Sequence, residues 1–149
     1  MSEATVAKVP FPVFLRHNGI WEGTYTLIDA KTGTILDHHK SRLTCKTNGI
    51  NEYSQQNVYT WDNGKVETKE FPGELKDGKL AFDNPRLKGE SVEVDENTIF
   101  LTWVYKDQPE NKFSEIITLE SNTHRSRTWQ HFESGEFVKL TVIDERKVG

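Results

Sequence analysis

Ile20-Trp21-Glu22-Gly23-Thr24-Tyr25-Thr26-Leu27-Ile28-Asp29, followed by Ala30-Lys31-Thr32-Gly33, decides how this chain is read. Trp21, Gly23, Tyr25 and Leu27 alternate with Glu22, Thr24 and Thr26. That two-residue period belongs to a strand whose faces meet different surroundings. Asp29 to Gly33 then supplies a hairpin turn, with a glycine free to take positive φ. The same grammar repeats downstream. Thr34 to Cys45 returns, Thr47-Asn48-Gly49 turns, and Ile50 to Trp61 runs out to Asp62-Asn63-Gly64, a strong hairpin signal.

Lys65 to Phe71 follows, then two short segments around Glu74 and at Leu80 to Asp83. Pro72-Gly73 and Asp77-Gly78 break them, and Asn84-Pro85 marks a further turn. Leu87 to Val94, Thr98 to Lys106, Lys112 to Glu120, His124 to Phe132 and Glu136 to Arg146 complete the set. Asp95-Glu96-Asn97, Asp107 to Asn111, Ser121-Asn122-Thr123 and Glu133-Ser134-Gly135 connect them. Upstream, Pro10 and Pro12 bracket Phe11, and Val13 to Asn18 fits one helical turn ended by Gly19, placed to plug a barrel end. Residues 1–10 are expected to fray. Short hairpins joining about ten strands favour a meander, and closure removes its two exposed edges. The expectation is all-β: a closed or nearly closed antiparallel up-and-down barrel of about eight to ten strands with a short N-terminal helical turn. It forms a single domain over residues 1–149.

Composition agrees. At 149 residues the chain is one domain's length. A charged fraction of 28% is high, but four Trp, four Tyr and eight Phe argue against disorder. Net charge is −4 and lysines are scattered, which excludes electrostatic binding of nucleic acid as the main function. Cys45 is the only cysteine, so no disulfide forms within the chain and no multi-cysteine zinc site exists. No apolar run approaches a membrane span. Met1 to Val9 lacks the basic start and apolar core of a signal peptide, so a cytoplasmic location is expected.

A barrel of this size has room for side chains and one small ligand. Trp21, Tyr25 and Leu27 form the inward set of the first strand, and Ile99, Leu101, Trp103 and Tyr105 share a face later on. The third strand places Tyr53, Gln55, Asn57, Tyr59 and Trp61 together; the ninth places Arg125, Arg127, Trp129 and His131 together. Ile35, Asp37, His39, Ser41, Leu43 and Cys45 share a face of the second. Buried amides and guanidinium groups are costly without partners, so a purely apolar core would not be built this way. The polar members either pair with one another around a plain core, or orient a ligand between aromatic walls. On the second reading the ligand-binding residues are Tyr25, Tyr53, Gln55, Asn57, Tyr59, Trp61, Trp103, Arg125, Arg127, Trp129 and His131.

Metal chemistry fits poorly. His38 and His39 are adjacent on a strand and point to opposite faces, and His39 would need distant help from His131 or Glu70. A triad of Ser41, His39 or His131, and Asp37 lacks any nucleophile elbow. A lone buried Cys45 is inert as a rule. Cofactor-free acid–base chemistry remains, with His39, Tyr59, His131 and Glu70 as candidate catalytic groups and the two arginines as an anion clamp.

Arg16-His17-Asn18-Gly19-Ile20-Trp21-Glu22-Gly23-Thr24-Tyr25 resembles the opening of lipocalin-like barrels, where a Gly-x-Trp pair starts the first strand. In the wider calycin group that Trp packs across the barrel floor against an Arg from the last strands. The resemblance implies Arg127 or Arg146 as the partner of Trp21. A closer likeness is to a small uncharacterised lipocalin-like domain family, carried by His17 to Gly23, Ser41-Arg42, Arg125 to Phe132 and Glu145-Arg146. Such barrels bind hydrophobic ligands, and some catalyse cyclisation, isomerisation or hydration without cofactors. The expected function is therefore binding of a small, partly apolar or aromatic molecule in the lumen, without cofactor, nucleic acid or membrane. The alternative is a cofactor-free lyase, isomerase or cyclase acting on such a molecule in the same lumen.

Overall fold

A computed structural model describes residues 9–149. Of the stretch expected to fray, residues 1–8 lie outside the described residues. One short helix, α1 (Pro12–Arg16), precedes ten strands: β1 (Gly19–Asp29), β2 (Ile35–Thr47), β3 (Glu52–Thr60), β4 (Val66–Lys76), β5 (Lys79–Asp83), β6 (Leu87–Glu93), β7 (Thr98–Tyr105), β8 (Gln108–Ser121), β9 (His124–Glu133) and β10 (Glu136–Lys147). Strand makes up 71% of the described residues. Each strand pairs antiparallel with its sequence neighbours, and β10 returns to β1 to close the barrel. This is the up-and-down barrel expected from the alternation.

Closure brings β1 hard against β10. A Cβ on Gly23 would sit 1.8 Å from the Asp144 carbonyl oxygen, so only glycine fits the inner face there. Two turns take the mirror-image hairpin form, with positive φ at Asp77-Gly78 and at Ser134-Gly135.

Two expectations from the sequence are corrected. Pro72-Gly73 does not break the chain into two segments: β4 runs through it, Ser54 opposite Pro72 and Tyr53 opposite Gly73. β5 meets β4 only from Glu74 to Lys76, so Pro72 falls where β4 has no ladder on its β5 side. Gly73 leaves room for Leu80 and Phe82, which would lie about 3 Å from a Cβ. The supposed turn from Asp107 to Asn111 is mostly strand. β8 starts at Gln108, and a register irregularity after Val104 absorbs the extra residues.

α1 plugs one end. Phe11, Val13 and Phe14 are buried against Leu75, Leu80, Phe82, Leu87 and Ile99. The Glu93 carboxylate accepts the backbone N–H of Val13 at 2.6 Å and of Phe14 at 2.9 Å. Arg16 donates to Asn97 and Asn122 in the turns at this end. The opposite end is ringed by the hairpins after β1, β3, β5, β7 and β9. No helix among the described residues is long and apolar enough to cross a membrane.

Candidate functional site

Strand phase sets the interior. Trp21 and Tyr25 on β1, Leu43 and Cys45 on β2, Asn57 and Tyr59 on β3, Ile99 and Trp103 on β7, and Arg125 and Arg127 on β9 are all buried. The aromatic-polar faces of β3 and β9 therefore do point inward.

The centre of the lumen is ionic. Arg127 Nε donates to Glu115 at 2.6 Å, and its Nη1 donates to the Tyr25 hydroxyl at 3.0 Å and to Glu145 at 3.2 Å. Arg125 Nε donates to Glu145 at 2.8 Å, and its Nη1 to His17 Nδ1 at 2.8 Å. Two guanidinium groups thus face two carboxylates, and the four charges cancel. Burial pushes the Glu145 carboxyl up, but Arg125 and Arg127 outweigh it and hold the group below the usual carboxylate range. Burial pulls Arg127 down, and Glu115, Tyr25 and Glu145 more than reverse that. Burial then raises Tyr25 well above an ordinary phenol.

Because a guanidinium only donates, His17 Nδ1 must accept, and the ring is neutral with its proton on Nε2. Burial and then Arg125 lower its pKa well below the usual value. The Arg125 guanidinium also lies 4.3 Å over the Trp21 ring. Arg125, not Arg127 or Arg146, is the arginine on the floor tryptophan, with Lys147 Nζ farther off at 5.9 Å. It is the inward residue of β9 nearest that floor, whereas Arg146 faces out.

Glu115 and Glu145 were missed by sequence reasoning, since a glutamate on a strand reads as solvent-facing. Two arginines on an inward face signal them, because each needs a buried anion in matching phase on β8 or β10.

Polar side chains also run along β3. The Tyr53 hydroxyl donates to Gln55, Gln55 Nε2 to Asn57 at 2.9 Å, and Asn57 Nδ2 to the Tyr59 hydroxyl at 2.8 Å. Near the end away from α1, His39 stacks between Tyr25 and Trp61, 5.1 and 4.3 Å between ring centres. Its Nδ1 lies 3.1 Å from Asp37, which also accepts the Trp61 N–H at 3.0 Å. Burial lowers the His39 pKa against the pull of Asp37.

A cavity of about 70 Å³ lies within the barrel. Of the residues singled out from the sequence, Tyr53, Gln55, Asn57, Trp103, Arg125, Arg127 and Trp129 line it. Tyr25, Tyr59, Trp61 and His39 form the neighbouring aromatic cluster instead. His131 stacks on Phe113 at 4.4 Å and bonds to Asn111. Glu70 is exposed on the outer wall, where it accepts from Gln56, and is not part of the interior. Cys45 is buried, which raises its thiol pKa and keeps it protonated. Among the described residues, no group of three or more His, Cys, Asp or Glu is placed to hold a metal.

Three donors in the cavity wall have no hydrogen-bond partner among the described residues: His17 Nε2, Trp103 Nε1 and Trp129 Nε1. Trp103 stacks on Phe113 at 5.0 Å and meets Trp129 edge-on at 5.3 Å. Buried N–H groups without a partner are rare and costly.

A family model described as "Domain of unknown function (DUF3598), N-terminal" matches residues 10–149. A DUF3598-family protein of unknown function from Nostoc punctiforme PCC 73102 superposes with a TM-score of 0.73 at 18% identity. The match covers 91% of this chain and 49% of that one, so the chain spans about half of its relative's length. An S-type phycobiliprotein lyase from Guillardia theta superposes at 0.71 with 14% identity, over 100% of this chain and 99% of that one. The protein EF1p2_mFAP2b, bound to DFHBI, superposes at 0.52 with 10% identity, over 95% and 100%. At these identities the likeness is one of fold. No curated protein matches the sequence.

Proposed function

The chain belongs to the DUF3598 family, and from that footing we propose that its barrel binds a small, ring-containing, partly apolar molecule in the lumen. The observation that carries this reading is the pair of unpartnered indole N–H groups of Trp103 and Trp129 in the cavity wall. A bound carbonyl or other acceptor oxygen would satisfy them, and the aromatic faces around them would pack its rings. The phycobiliprotein lyase and the DFHBI-bound protein share the barrel and lend this reading further support.

Size restricts the ligand. The free space is about 70 Å³, roughly half of the 150 Å³ that holds benzene in an engineered apolar cavity. A ligand therefore seats one end here and extends past the ring-lined end, away from α1.

One observation favours a second reading, cofactor-free acid–base chemistry. Asp37 is held ionised by the Trp61 and His39 hydrogen bonds despite partial burial, so His39 Nδ1–H faces it and Nε2 is the basic nitrogen. That arrangement orients a base beside the lumen.

The test is a fluorescence titration with DFHBI, which carries a carbonyl acceptor, and with N-phenyl-1-naphthylamine, which does not. Micromolar binding of both is expected. Trp103→Phe and Trp129→Phe should each weaken DFHBI roughly five- to tenfold, about one hydrogen bond, and the naphthylamine less. Failure of both probes to bind the wild-type protein refutes the lumen reading.

A further inference from the structure

Arg125 and Arg127 are the obvious cations for an acidic ligand, yet both are already matched by Glu115 and Glu145. Using either one would strip a buried carboxylate of its partner. A different arginine has no carboxylate partner among the described residues. Arg86 follows the Asn84-Pro85 turn between β5 and β6, where Asn84 Oδ1 accepts its backbone N–H at 2.9 Å. From there the half-buried side chain reaches back to β4, and Nη2 donates to the Glu70 carbonyl oxygen at 2.7 Å. Its guanidinium lies 4.9 Å over the Phe71 ring and 5.9 Å from the Tyr105 ring. Both rings line the cavity.

Nη1 of Arg86 is buried and has no hydrogen-bond partner among the described residues, and no carboxylate there lies within ion-pair distance of the side chain. A guanidinium stays charged at any physiological pH, and its planar fork suits an oxyanion. Stacked on two rings, with one amino group fixed and the other spare, it is already oriented. We infer that Arg86 is the anion-recognition residue of this lumen, and that the ligand is an acid whose carboxylate, sulfonate or similar oxyanion meets Arg86 while one end of its ring system seats in the cavity. This rests on the lumen-binding reading above and names the class of molecule bound.

Two probes separate charge from shape: 8-anilino-1-naphthalenesulfonate, an anion, and N-phenyl-1-naphthylamine, the same ring system without the sulfonate. Mutual displacement establishes that they share one site. Arg86→Met is expected to weaken the sulfonate ten- to hundredfold and the neutral amine less than twofold. Arg86→Lys, which keeps the charge but loses the fork, should fall between. Added salt should weaken the sulfonate on the wild type more than on Arg86→Met. Equal losses for both probes would make Arg86 a brace for the Glu70 carbonyl and overturn the inference. So would an unchanged sulfonate affinity. In either case amine binding to the wild type would leave the lumen reading standing. If neither probe binds the wild type, both readings fall.

Discussion

The arc of β8, β9 and β10 differs from the arc running from the β5–β6 turn to β7. The first carries Arg125, Arg127, Glu115 and Glu145, four buried charges, each with a partner of opposite sign. The second carries Trp103 Nε1 and Arg86 Nη1, polar groups without partners among the described residues, and Trp129 of β9 meets Trp103 edge-on from the first arc. Burial and polarity alone do not separate structure from function in such a barrel. Satisfaction is the better guide: polar groups that answer one another hold the wall together, while on the proposed reading those left over await a ligand.

The contrast breaks first at Glu145. It is fully buried and serves both arginines, so Glu145→Ala should cost about 3–5 kcal/mol in denaturant unfolding, as for removing one side of a buried pair. A loss below 1 kcal/mol would mean that water reaches the pair and that the arc is not a closed network. Trp21→Ala should cost a similar 3–5 kcal/mol, because Trp21 is fully buried beneath the Arg125 guanidinium and bonds the His17 carbonyl at 3.0 Å.

Acid should loosen the partnered arc in two stages. His17 has a folded pKa well below 6.5, so below that pH the unfolded chain takes a proton the folded chain refuses. Stability is thus full above 6.5 and falls as pH drops, with a slope of at most about 1.4 kcal/mol per pH unit for one proton. Burial gives His39 and His131 the same sign. Glu145, also lowered, adds a second loss as pH falls below 4.5, when unfolded carboxyls protonate first. Melting temperatures from pH 8 to 4 should show this, and His17→Gln, which keeps an acceptor for Arg125, should flatten the upper stage. The smallest effect belongs to the other arc. Arg86→Met should change unfolding free energy by less than about 0.5 kcal/mol, as for a rim residue outside the ion-pair network. A larger loss would erase the distinction between the two arcs.

Which residues of β1, β3, β7 and β9 share a face was legible because alternation survives in them, Trp21 with Tyr25 and Arg125 with Arg127, but alternation alone does not say which face is inner. The barrel followed from the turns. The site was only half legible. Glu115 and Glu145 look like any strand glutamate until the two inward arginines are asked for their anions. Glu70 looked available as an acid, but its phase on β4 sends it outside. Arg86 sits after a turn, where no periodicity predicts direction, and its place over Phe71 and Tyr105 depends on a contact across the β5–β6 hairpin. The Gly73 position was read as a break because glycine and proline punctuate most chains; here they sit where the neighbouring ladder has not begun.

That missing stretch of ladder has a dynamic consequence. β4 and β5 are joined only by Glu74–Lys76 against Lys79–Ala81, so the backbone of β4 before Glu74 is laced on one side alone. A cylinder fastened everywhere else has one short zip, and breathing motions concentrate where the fewest backbone bonds must open. Alternate amides between Val66 and Phe71 should therefore exchange with deuterium faster than any others in mid-strand, and the wall should part there before the hairpin rim unfolds.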